Sequence, residues 1–366
     1  MIRVLHVVTT MHRAGLETML MNYYRKIDTS RVQFDFLTYR KFKGEYDEEI
    51  VARGGKIYYL PAFSPKTIIQ NLSQTRQFFK VHKEYKIVHS HLDALSAFPL
   101  FFAKKAKIPV RIAHSHVSGF DLDFKYPIRI VARWMLKYVA TDFFACSEEA
   151  GEFMFGKHPQ KEIKILVNAI EADKYAYDPE IRSMVRMREG INDFYVVGHV
   201  GRFVPVKNHE KLLEIFIEIL KQKKNAILML VGKGELENVI KEKAAALKIS
   251  DKVYFMGSRD DVHELMQAMD LFILPSKYEG FGMVLLEAQT SGLPCLATAG
   301  AVPKKVQISP QLKYVALEEC AKLWADAGLS MVEDRRSYSK EAKEKGYDIE
   351  NEMNKLIDFY QDKWDR

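Results

Sequence analysis

From Ile2 onward the chain alternates short runs of β-branched and aromatic residues with stretches whose apolar side chains recur every three or four positions. Parallel strands cannot be joined by hairpins, so this rhythm calls for parallel sheets with crossover helices. Strands are predicted at residues 3–9, 33–39, 56–60, 87–91, 110–114, 142–146 and 163–167, with helices such as 17–26, 67–82 and 93–104 between them. A polar connector at Asp178-Pro179 and a helical stretch to about Glu189 interrupt the series. The rhythm restarts with strands at 195–201, 226–231, 253–257, 271–275 and 294–297, and after Glu319 the chain reads helical nearly to its end. Two doubly wound α/β domains are therefore expected, 1–175 and 176–349. The segment 350–366 carries Met353, Leu356, Ile357 and Tyr360 at helical spacing and is expected to pack back on the first domain.

The 366 residues, 48% hydrophobic and 28% charged, suffice for two cores without external staples. Cys146, Cys295 and Cys320 lie far apart, which supports neither a disulfide framework nor a zinc site. No run of about 18 apolar residues occurs, and the chain enters its first strand without a leader pattern, so a cytoplasmic protein is expected.

Ligands of open α/β sheets bind beyond the carboxyl ends of the strands. Three such places carry chemistry. After the strand ending at Pro275 comes Glu279-Gly280-Phe281-Gly282-Met283-Val284-Leu285-Leu286-Glu287. Two bare glycines admit a ligand to the backbone, a new helix turns its positive end to an anion such as a diphosphate, and two carboxylates can accept hydroxyl hydrogen bonds. Taken alone, the glycines also read as turn formers and Glu287 as a solvated helix residue. At the end of the strand 195–201 comes Gly201-Arg202-Phe203-Val204-Pro205-Val206-Lys207-Asn208-His209, where Arg202 and Lys207 can hold phosphate oxygens. In the first half, His89 and His91 end one strand and His114 and His116 the next. That spacing fits a metal site or, equally, strand ends that face a cleft. The loop from Thr10 to Glu17, with Gly15, completes the rim.

These residues resemble the retaining glycosyltransferases of family 4, whose GT-B fold has two Rossmann-like domains facing across a cleft. The likeness extends over nearly the whole chain and is most specific in Glu279–Glu287 coupled to Gly201-Arg202 and Lys207-Asn208. VLHVVTTM, LETMLMNYYRKID, VQFDFL, IVHSH, VRIAHSH and GHVGRF with KNHE resemble the EpsF-type capsular and exopolysaccharide enzymes of bacteria. The resemblance implies that Arg202 and Lys207 hold the donor diphosphate, that Glu279 contacts the transferred sugar and that Glu287 binds ribose hydroxyls. It implies that the backbone from Gly280 through Phe281 to Gly282 meets sugar or phosphate, with Gly201 also on the nucleotide side. His114 matches the active-site histidine near the transferred sugar, and Gly15 lies on the loop that closes over the phosphates. Two departures stand out. Ala14-Gly15 replaces a pair of glycines, and Ala301-Val302-Pro303-Lys304-Lys305 replaces a glycine-rich stretch that ends in an acidic residue.

The donor expected from the resemblance is a nucleotide sugar, with UDP as the nucleotide. The expected acceptor is a polyprenyl-diphosphate-linked molecule or a saccharide. No metal cofactor is expected, because Arg202, Lys207 and a helix start can carry the charge of a diphosphate leaving group. Asp121-Leu122-Asp123 spells Asp-x-Asp but sits in a basic segment of the first domain. Residues 51–140 hold 15 basic and 4 acidic side chains, and Lys125, Arg129, Arg133 and Lys137 fall at successive fourth positions beside Ile128, Val131, Trp134, Met135 and Tyr138. An anionic membrane surface and a solvated basic face over a packed core both fit that composition, and with the polysaccharide resemblance peripheral docking on the inner face of the membrane is the expectation. Nucleic acid is not expected, since the charge comes without a recognition motif. A sugar-nucleotide epimerase of the same fold, or a non-catalytic partner subunit, remains the alternative to a transferase.

Overall fold

The computed structural model describes residues 1–117, 119–120, 126–157, 159–331 and 335–365. The Asp121–Asp123 triplet and Lys125 lie outside these residues. The chain divides into two units, Met1–Ala169 with Ile349–Arg366, and Ile170–Asp348.

The first unit holds β1 (Ile2–Val8), β2 (Val32–Thr38), β3 (Ile57–Tyr59), β4 (Ile87–Ser90), β5 (Val110–Ser115), β6 (Asp142–Ala145) and β7 (Ile163–Ile165). They form one sheet in the order β3-β2-β1-β4-β5-β6-β7, every neighbouring pair parallel. Alternate side chains face opposite sides. Val4, Val8, Phe34, Phe36, Ile87 and Ile112 join one apolar cluster, and Leu5, Val7, Leu37, Val88 and Ala113 the other. Both faces are thus covered, which explains why strands such as β2 are buried along their whole length. The helix Ile349–Asp365 lies on the first of these faces, where Leu356, Ile357 and Tyr360 are buried among β1 and β2 residues.

The second unit holds β8 (Tyr195–Val200), β9 (Ala226–Val231), β10 (Val253–Gly257), β11 (Leu271–Leu274), β12 (Cys295–Thr298) and β13 (Leu312–Val315). Their order is β10-β9-β8-β11-β12-β13, again parallel throughout. Both sheets are therefore doubly wound, as the alternation predicts. β13 was not expected from the sequence: of its four residues at the sheet edge, Leu-Lys-Tyr-Val, only Leu312 and Val315 are buried, and they form no continuous apolar run. The helical reading after Glu319 resolves into Ala321–Leu329, Ser339–Glu344 and Ile349–Asp365. Among the described residues no helix is long and apolar enough to cross a membrane.

Candidate functional site

In the second unit the strand order reverses between β8 and β11, which pair at Leu271–Val197 and Phe272–Gly198. The crevice beyond such a reversal is where open α/β sheets hold ligands. Both sequence-derived segments leave their strands there.

The loop after β8 is built to stay close to the sheet. Gly232 takes φ +139°, and a Cβ on it would lie 2.1 Å from the Gly201 carbonyl oxygen. A Cβ on Gly234 would lie 2.5 Å from the Phe203 carbonyl oxygen. Only glycine fits either place, and the sequence reading did not single them out. Pro205 starts the short turn Pro205–Lys207, and Asn208 takes the left-handed conformation (φ 55°) that leads into the helix His209–Gln222. The Asn208 side-chain Nδ2 donates to the Pro275 carbonyl (3.2 Å), and the Lys277 backbone N–H donates to the Val206 carbonyl (2.8 Å). These two bonds lock the loops together.

The consequence is a close charge pair. Lys207 Nζ lies 2.6 Å from Glu279 Oε1, with the side chains 18% and 11% exposed. Ser276 Oγ donates to the same carboxylate oxygen at 2.5 Å. Glu279 is held further by its amide, which donates to the Ala301 carbonyl (2.9 Å). Gly282 takes φ +83° as the cap of the helix Met283–Thr290, a left-handed turn that glycine adopts readily, and Val302 Cγ1 would lie 3.3 Å from a Cβ there. Gly280 is exposed while Gly282 is buried, and the buried Phe281 ring packs on Tyr347 with centroids 5.4 Å apart. Arg202 is exposed, and its guanidinium has no hydrogen-bond or ion-pair partner among the described residues.

Glu287 lies inside the helix Met283–Thr290 and is buried, not solvated. Burial pushes its carboxyl up to about 7, against a hydrogen bond from Tyr175 and the charge of Lys174. His199, one strand position short of the loop, is also buried. Its Nδ1 donates to the Ile273 carbonyl (2.8 Å), and its Nε2 has no partner among the described residues. The sequence reading passed over it as an interior residue of an apolar strand.

In the first unit the four histidines are joined by a fifth, His6 of β1. His6 Nδ1 and His91 Nε2 are 3.0 Å apart, as are His91 Nδ1 and His116 Nε2. His89 Nε2 and His114 Nδ1 are also 3.0 Å apart, and His89 Nδ1 is 2.6 Å from the Tyr360 hydroxyl. Burial keeps all five rings well below the usual imidazole range, so they are neutral near pH 7. His6 with His89 and His91, and His91 with His114 and His116, are the groups of three among the described residues whose nitrogens come close enough for a metal ion. Most of those nitrogens are already engaged with one another. Gly15 is the exposed first residue of the helix Gly15–Lys26, with open space around it.

The basic helix Tyr126–Val139 buries Ala132, Leu136 and Val139. Arg133 is turned inward onto the Phe153 ring and the Met154 carbonyl, and Arg129 lies over Phe120, so the expected cationic stripe is partly folded back on the protein. The outer face instead shows Ile130, Val131, Trp134 and Tyr138, with Lys137 over the last two rings.

Comparison with known proteins gives a consistent picture. The family described as glycosyl transferases group 1 matches residues 185–348. The chain is 36% identical to the Bacillus subtilis glycosyltransferase EpsF, over 98% of this chain and 96% of that protein. It is 27% identical to CapM of Staphylococcus aureus, a capsular polysaccharide biosynthesis glycosyltransferase, over 76% of this chain and 77% of CapM. Among solved structures, Anabaena HepE in complex with UDP and glucose superimposes with a TM-score of 0.78 at 18% identity, over 99% of this chain and 100% of HepE.

Proposed function

The chain belongs to the group 1 glycosyl transferases, with the GT-B fold, and on that premise we propose that it moves a sugar from a UDP-sugar to a lipid-linked or saccharide acceptor in bacterial polysaccharide synthesis. The observation that carries the reading is the Lys207–Glu279 pair, 2.6 Å apart where β8 and β11 diverge and beside the start of the helix Met283–Thr290. UDP is favoured by the HepE complex, and polysaccharide synthesis by the likeness to CapM.

In this mechanism Lys207, Arg202 and the positive end of the helix receive the charge that develops on the diphosphate as the anomeric C–O bond breaks. No metal is required for that task. The acceptor oxygen attacks from the face the diphosphate leaves, its proton passes to a departing phosphate oxygen, and the anomeric configuration is retained. Glu279 accepts hydrogen bonds from sugar hydroxyls and orients the ring; Ser276 holds the carboxylate while Lys207 turns to phosphate. Glu287 accepts the ribose hydroxyls, the backbone at Gly201 and from Gly280 through Phe281 to Gly282 meets the nucleotide sugar, His114 serves the transferred sugar, and Gly15 the phosphate-side loop.

Thermal shift against a panel of nucleotide sugars tests the donor, since a ligand at 100 times its Kd adds about 2.7 kcal/mol. Product analysis with the best donor then separates transfer from epimerisation. Conversion of donor to a second nucleotide sugar without acceptor, or a glycosyl adduct on Glu279 in mass spectra, would overturn this mechanism.

The acceptor's lipid anchor would be met by the outer face of the helix Tyr126–Val139, where Trp134 is 59% and Val131 58% exposed beside Lys137. Aromatic and basic side chains on one helix suit an anionic bilayer surface. The protein is therefore expected to float with anionic vesicles at low salt, and Val131→Ser/Trp134→Ser to stay behind. Equal flotation of the two would remove this helix from the reading.

A further inference from the structure

Five histidines stand on one face of β1, β4 and β5 and the residues that follow, and the helix Ile349–Asp365 covers that face. From its side Tyr360 reaches in, fully buried, and meets His89 Nδ1 at 2.6 Å; His89 Nε2 in turn meets His114 Nδ1 at 3.0 Å. His114 Nε2 is buried and has no hydrogen-bond partner among the described residues.

The direction of the protons along this line follows from chemistry. A phenol is a stronger donor than a neutral imidazole, and an imidazole nitrogen a stronger acceptor than a phenol oxygen. The Tyr360 hydroxyl has no other hydrogen-bond partner among the described residues, so reversing the first bond would bury its proton unpaired. Tyr360 therefore donates to His89 Nδ1, which places the His89 proton on Nε2. That proton is donated to His114 Nδ1, and the single proton of the neutral His114 ring is left on Nε2. The reverse order would strand both a phenolic proton and the His114 Nε2 lone pair in the interior.

We propose that Tyr360 of the C-terminal helix is a positioning residue: acting through His89, it fixes the tautomer of His114 so that Nε2 presents an N–H donor. For catalysis this rests on the proposed role of His114 beside the transferred sugar, where the donor would meet a sugar oxygen. Neither Tyr360 nor His89 touches the ligand in this scheme. The covering helix thereby acts on the chemistry of the sheet beneath it as well as on its packing.

The full-length protein labelled with [15N]histidine tests the proposal, with the His114 signals assigned by their loss in His114→Gln. Long-range proton–nitrogen correlation is expected to show wild-type His114 protonated at Nε2 and bare at Nδ1. In Tyr360→Phe, which removes one oxygen, and in His89→Leu, which removes the donor to His114 Nδ1, the opposite tautomer is expected to appear. A wild-type His114 protonated at Nδ1, or an unchanged pattern in both variants, overturns the proposal. Hydrolysis of the nucleotide sugar that gives the largest thermal shift supplies the second readout, with kcat falling about ten- to a hundredfold in Tyr360→Phe at unchanged KM. A shifted tautomer with unchanged kcat supports the relay and removes His114 from the transfer step, so the two readings fail separately.

Discussion

Lys207→Ala is expected to lower kcat about 10²- to 10³-fold, equivalent to about 2.7–4 kcal/mol of transition-state stabilisation, while KM for the donor changes little. The asymmetry follows from when the charge is needed. In the proposed mechanism the bound donor already carries a diphosphate that Arg202 and the helix start can hold, and cleavage of the anomeric bond adds negative charge on the leaving oxygen. Lys207 is well placed to meet that charge because it is only 18% exposed and is aimed by Glu279 at 2.6 Å. Removing it also strips Glu279 of its cationic partner, leaving Ser276 as the carboxylate's side-chain partner among the described residues. A double-mutant cycle with Glu279→Gln separates the two effects. Loss of the leaving-group contact persists in the Glu279→Gln background, whereas a loss caused only by a misplaced carboxylate disappears there. A Lys207→Ala enzyme with raised KM and intact kcat would make this lysine a binding residue without a transition-state role.

The parts of the fold that were legible in the sequence are those where local pattern and tertiary demand agree. β2 and β9 are buried along their length, and the unbroken apolar run of β9 announces a parallel sheet. β13 hides because an edge strand of four residues needs no such run. The same contrast holds at the site. Glu279, Gly282, Lys207 and Glu287 stand out because their types recur at a strand end with a helix start, which is a local signal. Gly232 and Gly234 do not, because what excludes a side chain there is the backbone at Gly201 and Phe203, about 30 residues earlier and visible only in three dimensions. Tyr360 shows the limit most clearly. On a helical wheel it is one more apolar position of the terminal helix, and its hydroxyl acquires meaning only once His89, 271 residues away in sequence, is found at its tip. The environment of Glu287 was likewise beyond reach: spacing alone allows a solvated face, and the packed helix Met283–Thr290 instead buries it.

That burial gives the second large effect, and one with a sign that can be worked out. With its carboxyl pushed up to about 7, Glu287 is roughly half protonated in the free protein at neutral pH. In the proposed reading two ribose hydroxyls donate hydrogen bonds to Glu287, and the ionised carboxylate, with both oxygens free to accept, takes them better than the protonated acid. Donor binding therefore selects the ionised form, and affinity is full well above pH 7 and declines below it. If binding requires the ionised form, the donor Kd rises about tenfold for each pH unit below 7. UDP-glucose is the suitable probe, because its diphosphate is doubly esterified and does not itself titrate there. Glu287→Gln should flatten the profile between pH 5.5 and 8 in an assay spanning about that range. Glu287→Ala should weaken donor binding about ten- to a hundredfold at pH 8, in line with about 1.5–3 kcal/mol for hydrogen bonds to a charged acceptor. Lower pH should then cause no further loss. A wild-type profile that stays level from pH 8 down to about 5.5, with Glu287→Ala still weakened, would mean that Glu287 shapes the pocket as a neutral acid held by Tyr175 and does not bind the ribose as a carboxylate.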